Sequence, residues 1–143
     1  MNLLLDKHNR LKIGDLGVSK LLTTGAALTP KPGQRVGTPL YLAPEVVRHQ
    51  PYDYKADMWA VGCVLYQLAA LQAPFKGENL LALNNAIVHR EATQLPKQYS
   101  TQLNEFVDEL LEKRQDRRLE VWDALKRIPP CVRVQYDFKE LEL

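Results

Sequence analysis

The segment "MWAVGCVLYQLAALQAPF", residues 58–75, constrains the fold more than any other part of the chain. We predict a helix from about Asp57 to Leu71, because a carboxylate at position 57 suits the free amides and the dipole at a helix start. A helix that is apolar on every face must be buried on every face. The apolar residues that go round this helix are Met58, Trp59, Val61, Val64, Leu65, Leu68 and Leu71.

The composition is that of one globular domain, with 143 residues of which 45% are apolar and 25% charged. A formal net charge of +2 is nearly balanced, so we expect neither nucleic acid nor an anionic membrane as partner. We interpret the basic cluster "KRQDRR", residues 113–118, as a solvated helix end, because it contains an aspartate and has acids around it. No segment is long and apolar enough to span a bilayer.

The two cysteines, Cys63 and Cys131, have neither the spacing of a zinc site nor that of a redox pair. Cys63 lies in an apolar run, where a buried small side chain is the default interpretation. The start "MNLLLDKHNR" has no cationic lead before a long apolar stretch, so we do not expect a signal peptide. These features favour a reducing, cytoplasmic location.

The rest of the chain predicts a mainly α fold with a short β-hairpin at the N-terminus. "LLLD" and "LKIGD" flank a polar turn and predict the two strands of the hairpin. The segment 21–37 has no sustained period and predicts a long loop, of a length that is usually functional or disordered in compact domains. "PEVV" predicts a short helix with Pro44 in its first turn. Apolar spacing predicts two more helices, one around 103–111 and one from about Leu119 to Arg127.

Five motifs, "NLLLD", "GDLG", "GTPLYLAPE", "DMWAVGCVLYQL" and "RR", follow one another in an order that resembles the second half of a eukaryotic serine/threonine protein kinase. The amino-acid sequences of the later motifs are most similar to those of the NIMA-related kinases. The resemblance covers nearly the whole chain to Ile128. It implies a partial kinase domain, the C-terminal lobe, over residues 1–128, with an activation segment at 15–45. Residues 129–143 then form a C-terminal tail, which alternates like an edge strand or frays.

The resemblance implies a role in nucleotide binding for two residues. Asn2 matches the asparagine that ends the catalytic loop, and Asp15 matches the aspartate of the Asp-Phe-Gly motif, with Leu16 replacing the phenylalanine. In the family these residues hold the magnesium that bridges the ATP phosphates. Both offer hard oxygen ligands, which magnesium prefers. Thr38 matches the threonine that packs beside the catalytic aspartate, an accessory catalytic role.

The resemblance also implies structural roles for Glu45, Asp57 and Arg118. Glu45 closes the Ala-Pro-Glu motif and should form a buried ion pair with Arg118, although Arg117 competes as its partner. Leu119 stands where the family usually has the proline that follows the arginine, which favours Arg118. Asp57 matches the aspartate that holds the catalytic-loop backbone through hydrogen bonds.

The resemblance starts inside a motif, because the histidine-arginine-aspartate triplet would lie just before Asn2, where the chain has only Met1. The glycine-rich phosphate loop, the strand lysine and its glutamate partner also have no match. We therefore expect ATP and magnesium to be cofactors of a longer parent, with this chain alone inactive. One interpretation is a piece of a kinase, shortened by truncation or a misassigned start codon. The alternative is a short, non-catalytic module that binds a protein partner through the exposed apolar helix 57–71.

The loop from Leu21 to Gly37 is expected to be ordered by phosphorylation in the parent. NIMA-related kinases commonly carry a phosphorylated threonine or serine three residues before the glycine matched by Gly37, but this chain has Gln34 there. Thr29 precedes Pro30 and is our candidate for modification by another kinase. The alternative is that this pair is only loop chemistry, since the residue before proline is pushed extended. The other hydroxyls of the loop are Thr23 and Thr24.

Overall fold

The structure is a computed structural model, and it describes residues 3–14 and 39–129. These ranges contain a two-stranded antiparallel sheet, a 3₁₀ turn at Pro39–Tyr41 and five helices. The prediction of a mainly helical chain with an N-terminal hairpin is therefore confirmed. The elements are β1 (Leu3–Leu5), β2 (Leu11–Ile13), α1 (Pro44–Val47), α2 (Lys55–Ala70), α3 (Leu80–His89), α4 (Thr101–Leu110) and α5 (Val121–Arg127).

The hairpin is held at its turn by one carboxylate. The strands pair with Leu3 opposite Ile13, and the Asp6 carboxylate accepts hydrogen bonds from the amides of His8 and Arg10 at 2.8 and 3.0 Å. These bonds, with that from the Arg10 amide as the largest cause, lower the pKa of Asp6. The strands themselves are open to solvent. Their five large apolar side chains, all exposed, are Leu3, Leu4, Leu5, Leu11 and Ile13.

Helix α2 forms the centre of the core. Its residues Trp59, Cys63 and Tyr66 are at most 2% exposed and pack in one cluster with Phe75 and Ile87. The rings of Trp59 and Phe75 stack with their centroids 5.5 Å apart and their planes 10° from parallel. Stacking of this kind stabilises the core beyond the effect of burying apolar area. The three aromatic residues of this segment, Trp59, Tyr66 and Phe75, thus lie in the core cluster that the other helices pack against.

Gly62 allows α2 and α4 to approach closely. A Cβ atom at position 62 would lie 2.8 Å from the Cβ of Leu110, a contact that real side chains essentially never make. Leu110 is fully buried and packs with Met58 and Ala124 in a second apolar cluster. The absence of a side chain at position 62 therefore determines how near α4 lies to the central helix.

Helix α3 was not predicted from the sequence. It begins after Asn79, whose side chain accepts a hydrogen bond from the Ala82 amide at 2.9 Å. The helix buries Leu83, Ala86 and Ile87 at the three-and-four spacing of an amphipathic helix. This spacing and the asparagine cap were the available signals, but the exposed pair Leu80–Leu81 blurs the apolar stripe.

Three boundaries differ from the prediction. Helix α2 begins at Lys55, so Asp57 lies within its first turn, and the Asp53 carboxylate accepts from the Lys55 amide at 2.8 Å. The helix ends at Ala70, because Leu71 takes a left-handed conformation with φ of 56°. Helix α5 begins at Val121 rather than near position 119.

None of the five helices in the described ranges combines the length and hydropathy that a bilayer crossing requires.

Candidate functional site

Three of the seven candidate site residues are described. Glu45 lies on α1, Asp57 lies in the first turn of α2, and Arg118 lies in the segment between α4 and α5. The other four lie outside the described residues: Asn2, Asp15, Thr29 and Thr38.

Glu45 and Arg118 form a buried, bidentate ion pair. Arg118 Nη1 donates to Glu45 Oε1 at 2.6 Å, and Nη2 donates to Oε2 at 2.8 Å. The Arg118 side chain is 0% exposed and that of Glu45 is 5% exposed. Paired geometry of this kind gives the strongest charge-assisted hydrogen bonds. The contact joins residues 73 positions apart and is the pairing that the sequence analysis expected.

The Arg118 guanidinium also holds two backbone segments. Nη1 donates to the carbonyl oxygen of Lys55 at 2.8 Å, and Nε donates to that of Glu112 at 2.9 Å. Its Cζ lies 5.2 Å from the centroid of the Trp59 ring. A buried charge is tolerated when its hydrogen-bonding capacity is met in this way. Arg118 therefore joins α1, the start of α2 and the segment after α4. We name the ion pair of Arg118 with Glu45, together with the two backbone contacts of Arg118, the Glu45–Arg118 anchor.

The interpretation of "KRQDRR" as a solvated helix end is wrong for two of its residues. Helix α4 ends at Leu110, and the cluster follows in turns that are closed by hydrogen bonds from the amides of Arg117 and Arg118 to the Arg114 carbonyl. These turns direct Arg118 into the core, and Lys113 is half-buried, while Arg117 is exposed. The pattern of charges in sequence did not reveal this difference, because turn geometry decides which side chains point inward.

The Asp57 carboxylate makes no hydrogen bond to any side chain or amide in the described part of the chain. Asp57 is exposed as a residue, yet the neighbouring atoms partly desolvate its carboxylate and raise its pKa. A carboxylate in this position is available to accept hydrogen bonds from a further segment or partner.

The segment just before α1 is fixed against the central helix. The Tyr41 hydroxyl donates to Gln67 Oε1 of α2 at 2.9 Å, and Ala43 and Pro44 are buried. Together with the Glu45–Arg118 anchor, this contact holds residues 39–47 in place over α2. The sequence analysis did not identify the Tyr41–Gln67 contact, because the two residues are 26 positions apart and no pattern in the sequence links them.

The described part of the chain contains no metal site of its own. Within residues 3–14 and 39–129, no three histidine, cysteine, aspartate or glutamate side chains come close enough to hold a metal ion.

A family model described as "Protein kinase domain" matches residues 1–128 of this chain. The chain is 33% identical over 126 residues to the serine/threonine-protein kinase Nek4 of Mus musculus, an alignment that covers 88% of this chain and 16% of the relative. It is 38% identical over 120 residues to Nek11 of Homo sapiens, covering 84% of this chain and 18% of the relative.

The serine/threonine-protein kinase nekl-2 of Caenorhabditis elegans is 34% identical over 145 aligned positions, which cover 99% of this chain and 40% of the relative. The chain thus spans between 16% and 40% of the length of these three relatives.

Proposed function

The chain belongs to the protein kinase family and resembles its NIMA-related serine/threonine members. We propose that it is a piece of such a kinase, namely the C-terminal lobe of the kinase domain from the end of the catalytic loop onward. The whole enzyme would transfer a phosphoryl group from Mg-ATP to serine or threonine of a protein. The Glu45–Arg118 anchor is the observation that carries this proposal, because it ties α1 to the start of the central helix and to the segment after α4. Phosphoryl transfer depends on such positioning and on charge neutralisation.

We further propose that Asn2 and Asp15 hold the magnesium ion in the whole enzyme. Their amide and carboxylate oxygens are the ligand types that magnesium prefers. The hairpin supports this pairing, because Leu3 directly follows Asn2, Ile13 precedes Asp15 by two residues, and the two strand residues lie opposite each other. When bound, the metal would neutralise phosphate charge. Thr38, directly before the 3₁₀ turn, would help to seat the acceptor hydroxyl.

The 143-residue chain by itself is proposed to be inactive as a kinase. Its sequence contains no match to the phosphate loop, the strand lysine or the catalytic aspartate. Two magnesium ligands alone do not hold the phosphates as the phosphate loop and the strand lysine do, and they provide no base for the acceptor hydroxyl.

Calorimetric titration of Mg-ATP into the purified chain tests the proposal. We expect binding no tighter than millimolar, and no phosphate transfer to a generic protein acceptor. Circular dichroism must first show the helices to be folded. An Asp15→Asn variant is the matched control, since any weak signal that needs the metal should decrease in it. A micromolar dissociation constant in the folded chain would contradict the proposal.

A second candidate function is a non-catalytic module that binds a protein partner. Val61, Leu68 and Leu71 of the central helix and its cap are 46%, 68% and 89% exposed. Apolar side chains exposed near one another on a protein surface mark an interaction site in many proteins, and these three residues lie within eleven positions of the same helix and its cap. We name these three residues the open face of α2. This candidate requires that the open face bind a partner rather than the remainder of a kinase domain.

Two further aspects of the parent protein are proposals. We propose that another kinase phosphorylates Thr29 and thereby activates the parent, and phosphopeptide mapping of the parent from its own cells tests this. Phosphate only on Thr23 or Thr24, or an unmodified loop in a fully active parent, would contradict it. We also propose a cytoplasmic location, supported by the buried free thiol of Cys63.

A further inference from the structure

Helix α5 carries apolar side chains that the described part of the chain leaves uncovered. Ala124 is buried in the cluster around Leu110, whereas Val121 and Trp122 are 42% and 56% exposed. With 3.6 residues per turn, Val121, Leu125 and Trp122 fall within an arc of about 100° beside the core-facing side of the helix. We name these three residues the α5 stripe.

Tyr54 adds an exposed aromatic ring at the start of the α5 stripe. Its hydroxyl donates to Glu120 Oε1 at 3.3 Å, and Glu120 is the N-cap residue of α5. The same carboxylate oxygen lies 3.4 Å from Lys55 Nζ. Glu120 thus holds the Tyr54 ring close to the first turn of α5. Exposed aromatic and apolar side chains grouped in this way mark a surface that binds another apolar group.

The segment that follows α5 has the sequence pattern of a partner for this surface. Residues 130–143, "PCVRVQYDFKELEL", lie outside the described residues. Within them, apolar residues alternate with polar ones, so an extended backbone places four apolar side chains on one face. These four are Val132, Val134, Tyr136 and Phe138. An extended segment with one apolar face is stabilised when another surface covers that face.

This segment begins beside the α5 stripe and is long enough to reach it. Trp122 precedes Ile128 by six residues, which is about 9 Å along the helix axis. Tyr136 follows Ile128 by eight residues, which can extend over about 26 Å. Ile128 has left the helical conformation, with φ of −65° and ψ of 124°, and two prolines follow it. The chain therefore leaves the helix axis at Ile128 with enough length to return along α5.

We propose that residues 132–138 fold back on α5 and cover the α5 stripe with their apolar face. The tether at Ile128 makes this contact intramolecular, and a short flexible linker gives an effective concentration of about a millimolar. The segment therefore competes well with a second copy of the chain or with another protein. Arg133, Gln135 and Asp137 would face solvent. The surface involved has no part in the function proposed above.

The two tryptophans of the chain provide the readout, because Trp59 is 0% exposed whereas Trp122 is 56% exposed without the segment. Acrylamide quenching of fluorescence, in the full chain at low protein concentration, measures the access of solvent to Trp122. A Trp122→Phe variant gives the signal of Trp59, which is subtracted. Tyr136→Ser combined with Phe138→Ser should raise the quenching constant of Trp122 about threefold, the ratio for a stripe that is covered in about two-thirds of the molecules.

The matched control changes the opposite face of the same segment. Gln135→Ser combined with Lys139→Ser should leave the quenching constant of Trp122 unchanged, and circular dichroism must show the helices intact in every variant. Dilution should not alter the constant, because the contact lies within one molecule. Equal increases in the two double variants, or a constant in the unsubstituted chain as high as in concentrated urea, would overturn the proposal. Protection of Trp122 that disappears on dilution would also overturn it and would assign the stripe to a second copy.

Discussion

On one side of α2, Trp59, Cys63 and Tyr66 are at most 2% exposed, whereas on the other side Val61 and Leu68 are 46% and 68% exposed. Both sides carry apolar residues at similar density in the sequence. The buried side packs against α3, α4 and the segments between them, while the open face has no comparable cover in the described ranges. The comparison shows that the described chain covers one side of this apolar helix and leaves the other side exposed.

The buried side of α2 also carries the contacts of the charged residues in the core. The Arg118 guanidinium and the Lys113 amine both lie over the Trp59 ring, and Arg118 carries the pair with Glu45. Desolvation makes such a pair expensive to break, because removal of one partner leaves the other charged and buried. The open face has no such contacts. Substitutions on the two sides should therefore differ strongly in their effect on stability.

The largest effect is expected when the Glu45–Arg118 anchor is broken. Arg118→Ala should lower the free energy of unfolding by about 3–5 kcal/mol, because the Glu45 carboxylate remains buried without its partner. Urea unfolding followed by circular dichroism measures this change. The matched control is Arg117→Ala, which removes an exposed arginine one position away and should change stability by about 0.5 kcal/mol or less. Equal losses in the two variants would show that the pair does not stabilise the fold.

A smaller effect is expected where α2 approaches α4. Gly62→Ala gains about 1 kcal/mol of helix propensity. The added methyl group overlaps the Leu110 Cβ, so we expect a net loss of about 1–2 kcal/mol from overpacking. Val61→Ala is the control on the open face, and it should change stability by about 0.5 kcal/mol at most. A stabilising Gly62→Ala, or a larger loss at Val61, would contradict the assignment of the two sides.

The smallest effect on stability is expected on the open face. Leu68→Gln should change the free energy of unfolding by about 0.5 kcal/mol at most, because the side chain is already exposed. It should instead weaken any concentration-dependent association of the chain, measured by sedimentation. Leu81→Gln on α3 is the control, since Leu81 is 79% exposed but lies on a different helix. If both variants weaken association equally, the open face is not the surface responsible.

Several features of the fold and the candidate site were predictable because they depend on local pattern. The hairpin, the short helix at Pro44 and the central helix follow from strand spacing, proline chemistry and apolar run length. The order of the motifs indicated the family, and with it the partnership of Glu45 with Arg118. Helix α3 was missed because its exposed Leu80–Leu81 pair obscured an otherwise regular apolar stripe.

By itself, the sequence determined which residues are apolar, the approximate positions of the hairpin and of four of the five described helices, and the family of the chain. Only the tertiary structure decided which side of α2 is covered, because a helix that is apolar all round carries no information about the direction of its neighbours. It also decided that Lys113 is half-buried over two aromatic rings and that Arg118, rather than the exposed Arg117, forms the buried pair with Glu45. In sequence these are three basic residues of one cluster, and the turns after α4 give them different environments.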